Sequence, residues 1–398
     1  MSDGPSGARG EVFGEGVPAA FIPSGVSLGA TWDVDLVREL GALLAEECRS
    51  KSSSVLLAPT MCMHRHPLGG RNFESFSEDP YLTGRLATAH VQGLQGAGIG
   101  ATPKHFVAND QETKRFKVNA HIDPRTLREI YLLPFQMVVR EADPWCMMTA
   151  YNKVNGYHAD ASKKLLIDIA RDEWLWKGVF MSDWGGTTSS VDSINNGLDL
   201  EMPGPPAARS WEVLQKPIEQ GLVRLDRVDA SVRRILRLLQ RAGRFQDARD
   251  EPEYCRDMDA AVGSSSTSEL LRRAASSGIV MLKNENHALP IHAGTLSKLV
   301  IIGPNAKRIV AGGGGSSYIK APYWTSVFGS ARAHYEAQGV EVHHHVGAKV
   351  NRFVPTPAPG VAKDPHNGHD GASIEWHTTH DLEDAPVATS HMYDCHFP

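Results

Sequence analysis

The stretch Gly178-Val179-Phe180-Met181-Ser182-Asp183-Trp184 decides the fold class of this 398-residue chain. Its apolar run Val179-Phe180-Met181 predicts a short buried strand, which leads directly into a carboxylate, an indole and the flexible pair Gly185-Gly186. A buried strand that delivers an aspartate to its C-terminal end is typical of active sites in α/β barrels. Asp183 is therefore the candidate catalytic nucleophile. Taken alone, Asp183 could also cap a helix that follows the strand, so its role depends on the surrounding motifs.

The composition is that of a soluble globular protein long enough for two or more domains, with 41% hydrophobic and 22% charged residues. The formal net charge is −5 and no basic block occurs, which argues against a nucleic-acid partner. No apolar run approaches the ~18 residues of a membrane helix. Five scattered cysteines without a CxxC pair support neither a zinc ribbon nor a disulfide framework. The sequence predicts no metal and no cofactor.

Helical and strand-like patterns alternate between residues 30 and 245. Asp33 and the pair Asp79-Pro80 are helix-start signals, and the runs Ser54–Ala58 and Cys146–Ala150 predict strands. Repeated alternation of this kind is typical of a parallel α/β sheet, which is either open or closed into a barrel. The predicted fold class is therefore α/β.

The composition changes near residue 245, where an acidic stretch followed by small polar residues predicts a linker over 246–268. A second α/β unit is predicted over 269–354. In that unit Leu270–Leu282 passes from helix to strand, and Lys298–Ile302 is a buried strand. The last residues, 355–398, are rich in Pro, Gly, Asp and His and predict a poorly structured tail.

Four polar clusters lie where the predicted strands end. They combine carboxylates, cations, an amide and aromatic rings, without a set of metal ligands. Asp and Arg side chains bind paired hydroxyl groups, while the faces of Trp and Tyr pack on the C–H side of a sugar ring. The mixture therefore indicates a polyhydroxylated ligand. The clusters are Asp3-Gly4-Pro5, Gly70–Glu74, Lys104-His105 with Asn109–Glu112 and Arg115, and Met148–Asn152.

Longer motifs contain most of these clusters. They are Pro67–Pro80 (PLGGRNFESFSEDP), Lys104-His105-Phe106, Tyr151–Gly156 (YNKVNG), Ser182-Asp183-Trp184 and Gly197–Gly204 (GLDLEMPG). A single short motif is weak evidence, but several long motifs in one order are highly specific. Together they resemble the signature of glycoside hydrolase family 3 β-glucosidases, and they look most similar to the fungal type. The resemblance extends over roughly residues 2 to 355.

The resemblance implies a (β/α)8 TIM-like barrel over 1–245 followed by the start of an α/β sandwich. It also implies retaining hydrolysis of terminal non-reducing β-D-glucosyl residues through a covalent intermediate on Asp183, while a second carboxyl group ~5–5.5 Å away protonates the leaving oxygen. Lys104 and Arg115 are expected to keep Asp183 ionised. The family positions that bind the glucose correspond to Asp3, Arg71, Lys104, His105, Arg115 and Tyr151, and Met148 and Trp184 correspond to its apolar lining.

Two departures from the family pattern bear on activity. The family barrel begins before Asp3, so the barrel predicted here is incomplete, and 355–398 matches the inserted β-sandwich of the fungal type poorly. The acid/base glutamate of this type lies beyond that insert, and no residue here matches it. We therefore expect a β-glucosidase truncated at both ends with impaired activity. The alternative is a non-catalytic sugar-binding remnant or an inactive fragment.

Several motifs have a structural interpretation beside a functional one. Glu74 and Asp199 are expected to hold loops. Gly312–Ser317 could cradle a phosphate, but it does not follow a strand in the G-x-G-x-x-G arrangement and is predicted to form a loop at the cleft mouth. His343-His344-His345 lacks the ligand spacing that fixes a metal geometry.

The sequence leaves the cellular compartment and the oligomeric state open. The family resemblance favours secretion. Met1 is followed by turn residues and not by a signal peptide, and no N-x-[ST] sequon occurs. A cytoplasmic location therefore also stays open.

Overall fold

The computed structural model describes residues 1–10, 17–245, 265–348, 363–364, 367–377 and 385–392. Most of the predicted linker (246–264) and much of the predicted tail lie outside these residues. The architecture is α/β, as predicted, with helices between short strands. The strands of the described ranges are β1 Ser2–Asp3, β2 Val55–Leu57, β3 Gly100–Ala101, β4 Asn119–Ala120, β5 Cys146–Met148, β6 Lys153–Val154, β7 Tyr157–His158, β8 Val179–Met181, β9 Lys298–Ile302, β10 Glu341–His345, β11 Ala372–Trp376 and β12 Ala388–Met392.

Five of these strands form a parallel array. β1 pairs with β2, β2 with β3, and β5 with β8, each in parallel. The parallel bridges Thr60–Lys104 and Phe106–Thr149 extend the array beyond β2 and β3 and connect it to β5. A separate small sheet contains β4, β6 and β7. Because the C-terminal ends of parallel strands lie at one edge, the polar residues that follow them are brought together.

Two of the helices begin where the sequence predicts. The Asp33 carboxylate accepts hydrogen bonds from two backbone N–H groups of the following turn, and Asp79 does the same for the helix that begins at Pro80. None of the helices in the described ranges has both the length and the apolarity needed to cross a membrane. They are Gly25–Thr31, Val34–Ser50, Pro80–Gly96, Pro124–Thr126, Leu127–Tyr131, Leu133–Ala142, Lys164–Glu173, Ser190–Asn195, Trp211–Glu219, Leu225–Arg241, Ser265–Ser277 and Val327–Glu336.

The two long aspartate-capped helices pack closely against each other. Their apolar faces bury Leu40, Leu44 and Leu86 completely. Glycine permits the close approach, because a Cβ atom at Gly93 would lie only 2.1 Å from the carbonyl oxygen of Arg38. This helix pair is part of the main hydrophobic core, which also contains the aromatic residues Phe106, Phe135, Trp176 and Phe180.

The chain forms two compact units, residues 1–290 with 311–324, and residues 291–310 with 325–398. In the second unit β9 pairs in parallel with β10, and β11 pairs with β12 in antiparallel. Lys298–Ile302 is a strand, as predicted, but it is not buried: Val300 and Ile302 are 45% and 71% exposed. No described element covers the face of β9 on which these side chains lie.

The region after residue 264 differs from its prediction in two respects. Ser265–Ser277 is a helix, so its first residues, predicted to be linker, are already helical, and 265–290 belongs to the first unit. The predicted strand at the end of Leu270–Leu282 is wrong, because 279–282 is irregular and its apolar side chains are exposed. A strand needs a neighbour with which to form a ladder, and no described strand pairs with this stretch.

The helix Val34–Ser50 fixes two points of the N-terminal segment. Glu47 accepts a hydrogen bond from the backbone N–H of Ala20 at 2.6 Å, and the Lys51 ammonium donates to the carbonyl of Ala8. Burial raises the pKa of Glu47 from 4.5 to about 7. The folded protein therefore binds a proton at Glu47 over a pH range in which the unfolded chain does not.

Replacing Glu47 by Gln should remove a pH-dependent loss of stability. Because the pKa is raised in the folded state, the contribution of Glu47 to stability falls as pH rises from 4.5 to about 7, by roughly 3 kcal/mol in total. The Gln side chain keeps the acceptor for Ala20 and never ionises. Urea denaturation should show equal stability near pH 4.5 and a more stable variant at pH 8. The exposed neighbour Glu46→Gln serves as the control, and an equal gain in both variants would contradict the prediction.

Candidate active site

The residues that follow the parallel strands surround one cavity of about 370 Å³, a volume in the range of small-molecule sites. All nine residues that the sequence analysis assigns to the site line this cavity. They are Asp3, Arg71, Lys104, His105, Arg115, Met148, Tyr151, Asp183 and Trp184. The remaining lining residues are Gly70, Phe73, Glu74, Glu112 and Gly313–Ser316.

Asp183 follows β8 and is only 8% exposed. Its Oδ1 atom accepts a hydrogen bond from the backbone N–H of Trp184 at 2.7 Å, whereas its Oδ2 atom accepts none from the described residues. Burial raises the pKa of Asp183, and the Lys104 and Arg71 cations oppose this rise without cancelling it. Lys104 and Arg115 were expected to keep Asp183 ionised; Lys104 does lower its pKa, but burial outweighs this effect. Asp183 is therefore a desolvated carboxyl group, and one of its oxygens accepts no hydrogen bond from the described residues. Such an oxygen suits a nucleophile.

Asp199 holds the strand that carries the nucleophile. Its Oδ2 atom accepts hydrogen bonds from the backbone N–H of Phe180 at 2.9 Å and from Arg171 at 2.8 Å. Its Oδ1 atom accepts from Ser231 and Arg234, both at 2.8 Å. Both carboxylate oxygens therefore accept hydrogen bonds that hold β8 against Arg171, Ser231 and Arg234. This agrees with the structural interpretation of Asp199.

Asp3 and Lys104 form a buried ion pair at one side of the cavity, with 2.8 Å between Oδ1 and Nζ. Arg9 lies 3.6 Å from the Oδ2 atom of Asp3 and donates a hydrogen bond to the carbonyl of Ser316. Two cations thus hold one carboxylate. The sequence analysis missed Arg9, because nothing in its local pattern shows that the chain folds back after β1.

Arg71 and His105 connect this side of the cavity to the nucleophile. Arg71 binds Glu74 through Nε and Nη2 at 3.0 and 2.8 Å, a bidentate geometry that fixes the guanidinium plane. Its Nη1 atom lies 3.3 Å from Nε2 of His105, and the same Nε2 lies 3.3 Å from Oδ2 of Asp183. Glu74 therefore positions a cavity side chain, which goes beyond the predicted loop-holding role.

Aromatic rings form another part of the cavity wall. The Arg115 guanidinium lies 4.6 Å above the ring of Tyr151 and forms an ion pair with Glu112. The Tyr151 hydroxyl donates to the carbonyl of Trp184 at 2.8 Å. Buried Met148 ends β5 beside them. This arrangement provides apolar surface beside fixed charges, as the ring and hydroxyls of a sugar require.

The glycine-rich segment predicted as a loop at the cleft mouth takes part in the cavity. Gly313–Ser316 lines it, and the ring of Phe73 lies so close that a Cβ atom at Gly313 would come within 2.4 Å of it. Glycine at this position allows the chain to lie against the aromatic ring. The sequence shows the glycine run but not this neighbour.

Residues 5–238 match the family model described as the glycosyl hydrolase family 3 N terminal domain, which covers more than half of the chain. The chain belongs to glycosyl hydrolase family 3. Residues 279–390 match the C-terminal domain of the same family. The family assignment made from the motifs is therefore confirmed.

Relatives of this family 3 chain are named as β-glucosidases. Beta-glucosidase B of Emericella nidulans is 44% identical over 389 residues, which are 94% of this chain and 45% of the relative. The beta-glucosidase of Kluyveromyces marxianus is 44% identical over 362 residues, 89% of this chain and 41% of the relative. The structure of the Kluyveromyces marxianus enzyme in complex with glucose has a TM-score of 0.83 and 39% identity, and the match covers 99% of this chain and 47% of that chain. The chain thus spans about half the length of these relatives.

Proposed function

We propose that this chain hydrolyses terminal β-D-glucosides with retention of configuration, through attack of Asp183 on the anomeric carbon. The observation that carries the proposal is the Oδ2 atom of Asp183, which no described residue engages in a hydrogen bond, in a cavity lined by the eight other candidate sugar-binding residues. The names of the relatives and the glucose in the Kluyveromyces marxianus complex support the same ligand class.

The charges around the cavity suit a ring of hydroxyl groups. Asp3 offers carboxylate oxygens as acceptors, while Lys104 and Arg71 offer charged donors. His105 is neutral, because burial lowers its pKa well below the ordinary value and the neighbouring cations add to the effect. A neutral imidazole can donate at one nitrogen and accept at the other, as hydroxyl groups do.

The proposed reaction has two steps. Asp183 Oδ2 forms a bond to the anomeric carbon while the bond to the leaving oxygen breaks, and that oxygen leaves as an anion that takes a proton from water. Water then hydrolyses the glycosyl ester and releases glucose. The other carboxylates of the described cavity are all in ion pairs, Asp3 with Lys104, Glu74 with Arg71 and Glu112 with Arg115. Among the described residues of the cavity, no second carboxyl group without an ion-pair partner is present to donate a proton in the first step.

The rate should depend steeply on the leaving group. Loss of general acid catalysis costs about 10²–10⁴-fold, and a phenolate of low pKa leaves without help. We expect measurable release of dinitrophenol from its β-glucoside, and a rate on cellobiose that is lower by more than about 10²-fold. A series of aryl glucosides should give a strongly negative slope of log kcat/KM against the pKa of the phenol.

Equal rates on the aryl glucoside and on cellobiose would contradict the proposed lack of an acid. A folded sample that binds glucose and releases no dinitrophenol would instead favour the sugar-binding remnant. The matched α-glucoside serves as the control, because it presents the opposite anomeric face and should not react.

The proposal extends to the architecture. The parallel array would be part of a (β/α)8-like barrel over 1–245, and residues 291–310 with 325–348 would open an α/β sandwich. The parallel pairs β1–β2, β2–β3 and β5–β8, with the parallel bridges that connect them, support the first statement, and the β9–β10 pair supports the second.

A further inference from the structure

Cys62 and Asp183 contact different nitrogens of the same imidazole ring. The Cys62 sulfur lies 3.8 Å from Nδ1 of His105, and Asp183 Oδ2 lies 3.3 Å from Nε2. The ring itself is only 2% exposed. Whichever nitrogen carries the hydrogen therefore decides whether His105 donates to the nucleophile or presents a lone pair to it.

Arg71 favours one of the two tautomers. Its Nη1 atom lies within hydrogen-bond distance of His105 Nε2, and its Nε and Nη2 atoms are held by Glu74. A guanidinium has no acceptor, so in this contact Nε2 accepts the hydrogen bond. In a neutral ring the single hydrogen is then on Nδ1.

The Nδ1–H group faces the sulfur of Cys62. Burial raises the pKa of this thiol to about 12, so Cys62 is neutral at ordinary pH and its sulfur can accept the hydrogen bond. The Cys62 sulfur therefore serves as the hydrogen-bond acceptor for the buried Nδ1–H group.

We propose that Cys62 is a positioning residue that holds His105 in the Nδ1–H tautomer. The lone pair on Nε2 then faces Asp183, and the Oδ2 atom of the nucleophile receives no hydrogen bond from the ring. The consequence for catalysis rests on the proposed function of Asp183, whereas the tautomer itself does not.

Removing the sulfur should reverse the arrangement. In Cys62→Ala the Nδ1–H group would be buried without an acceptor. The hydrogen then moves to Nε2, and His105 donates to Asp183 in place of accepting from Arg71. A donated hydrogen bond stabilises the carboxylate and lowers its pKa, and it makes Oδ2 a weaker nucleophile. Cys62→Ser keeps an acceptor at the same position and should retain the original tautomer.

Nitrogen NMR of histidine-labelled protein tests the tautomer directly. The His105 signals are assigned by their loss in His105→Gln. We expect an Nδ1–H ring in the wild type and in Cys62→Ser, and an Nε2–H ring in Cys62→Ala. An Nε2–H ring in the wild type, or an unchanged ring in Cys62→Ala, would overturn the proposal. The wild-type measurement needs no variant to fold.

The pH profile of inactivation by a 2-fluoro-glucoside tests the consequence. The groups that face His105 and Asp183 are Arg71, Lys104, Arg115 and Tyr151, with Asp110 and Glu112 beside Cys62. In Cys62→Ala we expect the acidic limb to move to lower pH and the plateau rate to fall about tenfold. The control Cys48→Ala, on a helix that contributes no residue to the cavity, should keep the wild-type profile.

An acidic limb and plateau in Cys62→Ala that match those of the wild type would contradict the proposed role. A wild type that the inactivator does not label would refute the function proposed for Asp183. The NMR comparison would then still decide the tautomer, so the two failures are distinguishable.

Discussion

The variant Asp183→Asn is expected to lose between about 10⁴- and 10⁶-fold in the rate of dinitrophenyl glucoside hydrolysis. An amide cannot form the glycosyl ester, and the other carboxylates of the described cavity are in ion pairs. Glucose binding measured by calorimetry should change little, because the amide keeps the shape of the side chain and its hydrogen bond from Trp184.

The same variant should be more stable than the wild type. Burial raises the pKa of Asp183 in the folded state, so the contribution of this group to stability falls as pH rises from its unfolded value through its folded value. Asn carries no charge and avoids this loss. Thermal unfolding at pH 8 should show a higher Tm for Asp183→Asn, with a smaller difference at low pH. A rate within tenfold of the wild type, or a lower Tm at pH 8, would contradict this account.

The variant Lys104→Met should lose about 3–5 kcal/mol of stability. Lys104 and Asp3 form a buried pair at 2.8 Å. Removal of the cation leaves a buried carboxylate, and the other cation that pairs with it among the described residues, Arg9, is more distant at 3.6 Å. The double variant Asp3→Asn/Lys104→Met removes both charges and should recover most of the loss. Urea denaturation of the wild type, both single variants and the double variant gives the coupling energy.

An exposed ion pair provides the matched control for this cycle. Arg125 and Glu129 lie on the surface of a helix, and Arg125→Met should cost less than about 1 kcal/mol. Glucose binding should be lost in all three variants at Asp3 and Lys104 and kept in Arg125→Met. Additive single-variant effects in the Asp3–Lys104 cycle would show that the pair does not act as a unit.

Local chemistry made part of the fold predictable. Asp33 and Asp79 cap their own helices by accepting hydrogen bonds from backbone N–H groups of the next turn. The capping residue and the groups that it binds therefore lie within four residues of each other in the sequence. The strand at Val179 is predictable for a similar reason, because its apolar run is continuous. The cavity residues were predicted from the order of their motifs, since no local pattern shows that Asp3 and Lys104, 101 residues apart, form an ion pair.

Other features depend on contacts that a sequence pattern does not contain. The apolar run at 279–282 looks like a strand, but it remains irregular because no described strand pairs with it. Arg9 reaches Asp3 only because the chain folds back after β1. The raised pKa of Asp183 reflects burial, whereas the charges visible in the sequence indicate the opposite direction. In each of these cases the outcome depends on tertiary contacts between distant parts of the chain, which a local sequence pattern does not contain.

The most direct test of the account is to identify the residue labelled by 2,4-dinitrophenyl 2-deoxy-2-fluoro-β-D-glucoside. The fluorine slows hydrolysis of the glycosyl ester, so the intermediate accumulates and mass spectrometry of the digested protein locates it. The account predicts one adduct per chain, on the peptide that contains Asp183, with formation slowed by excess glucose. An adduct on another residue, or no adduct in a folded sample that binds glucose, would contradict it.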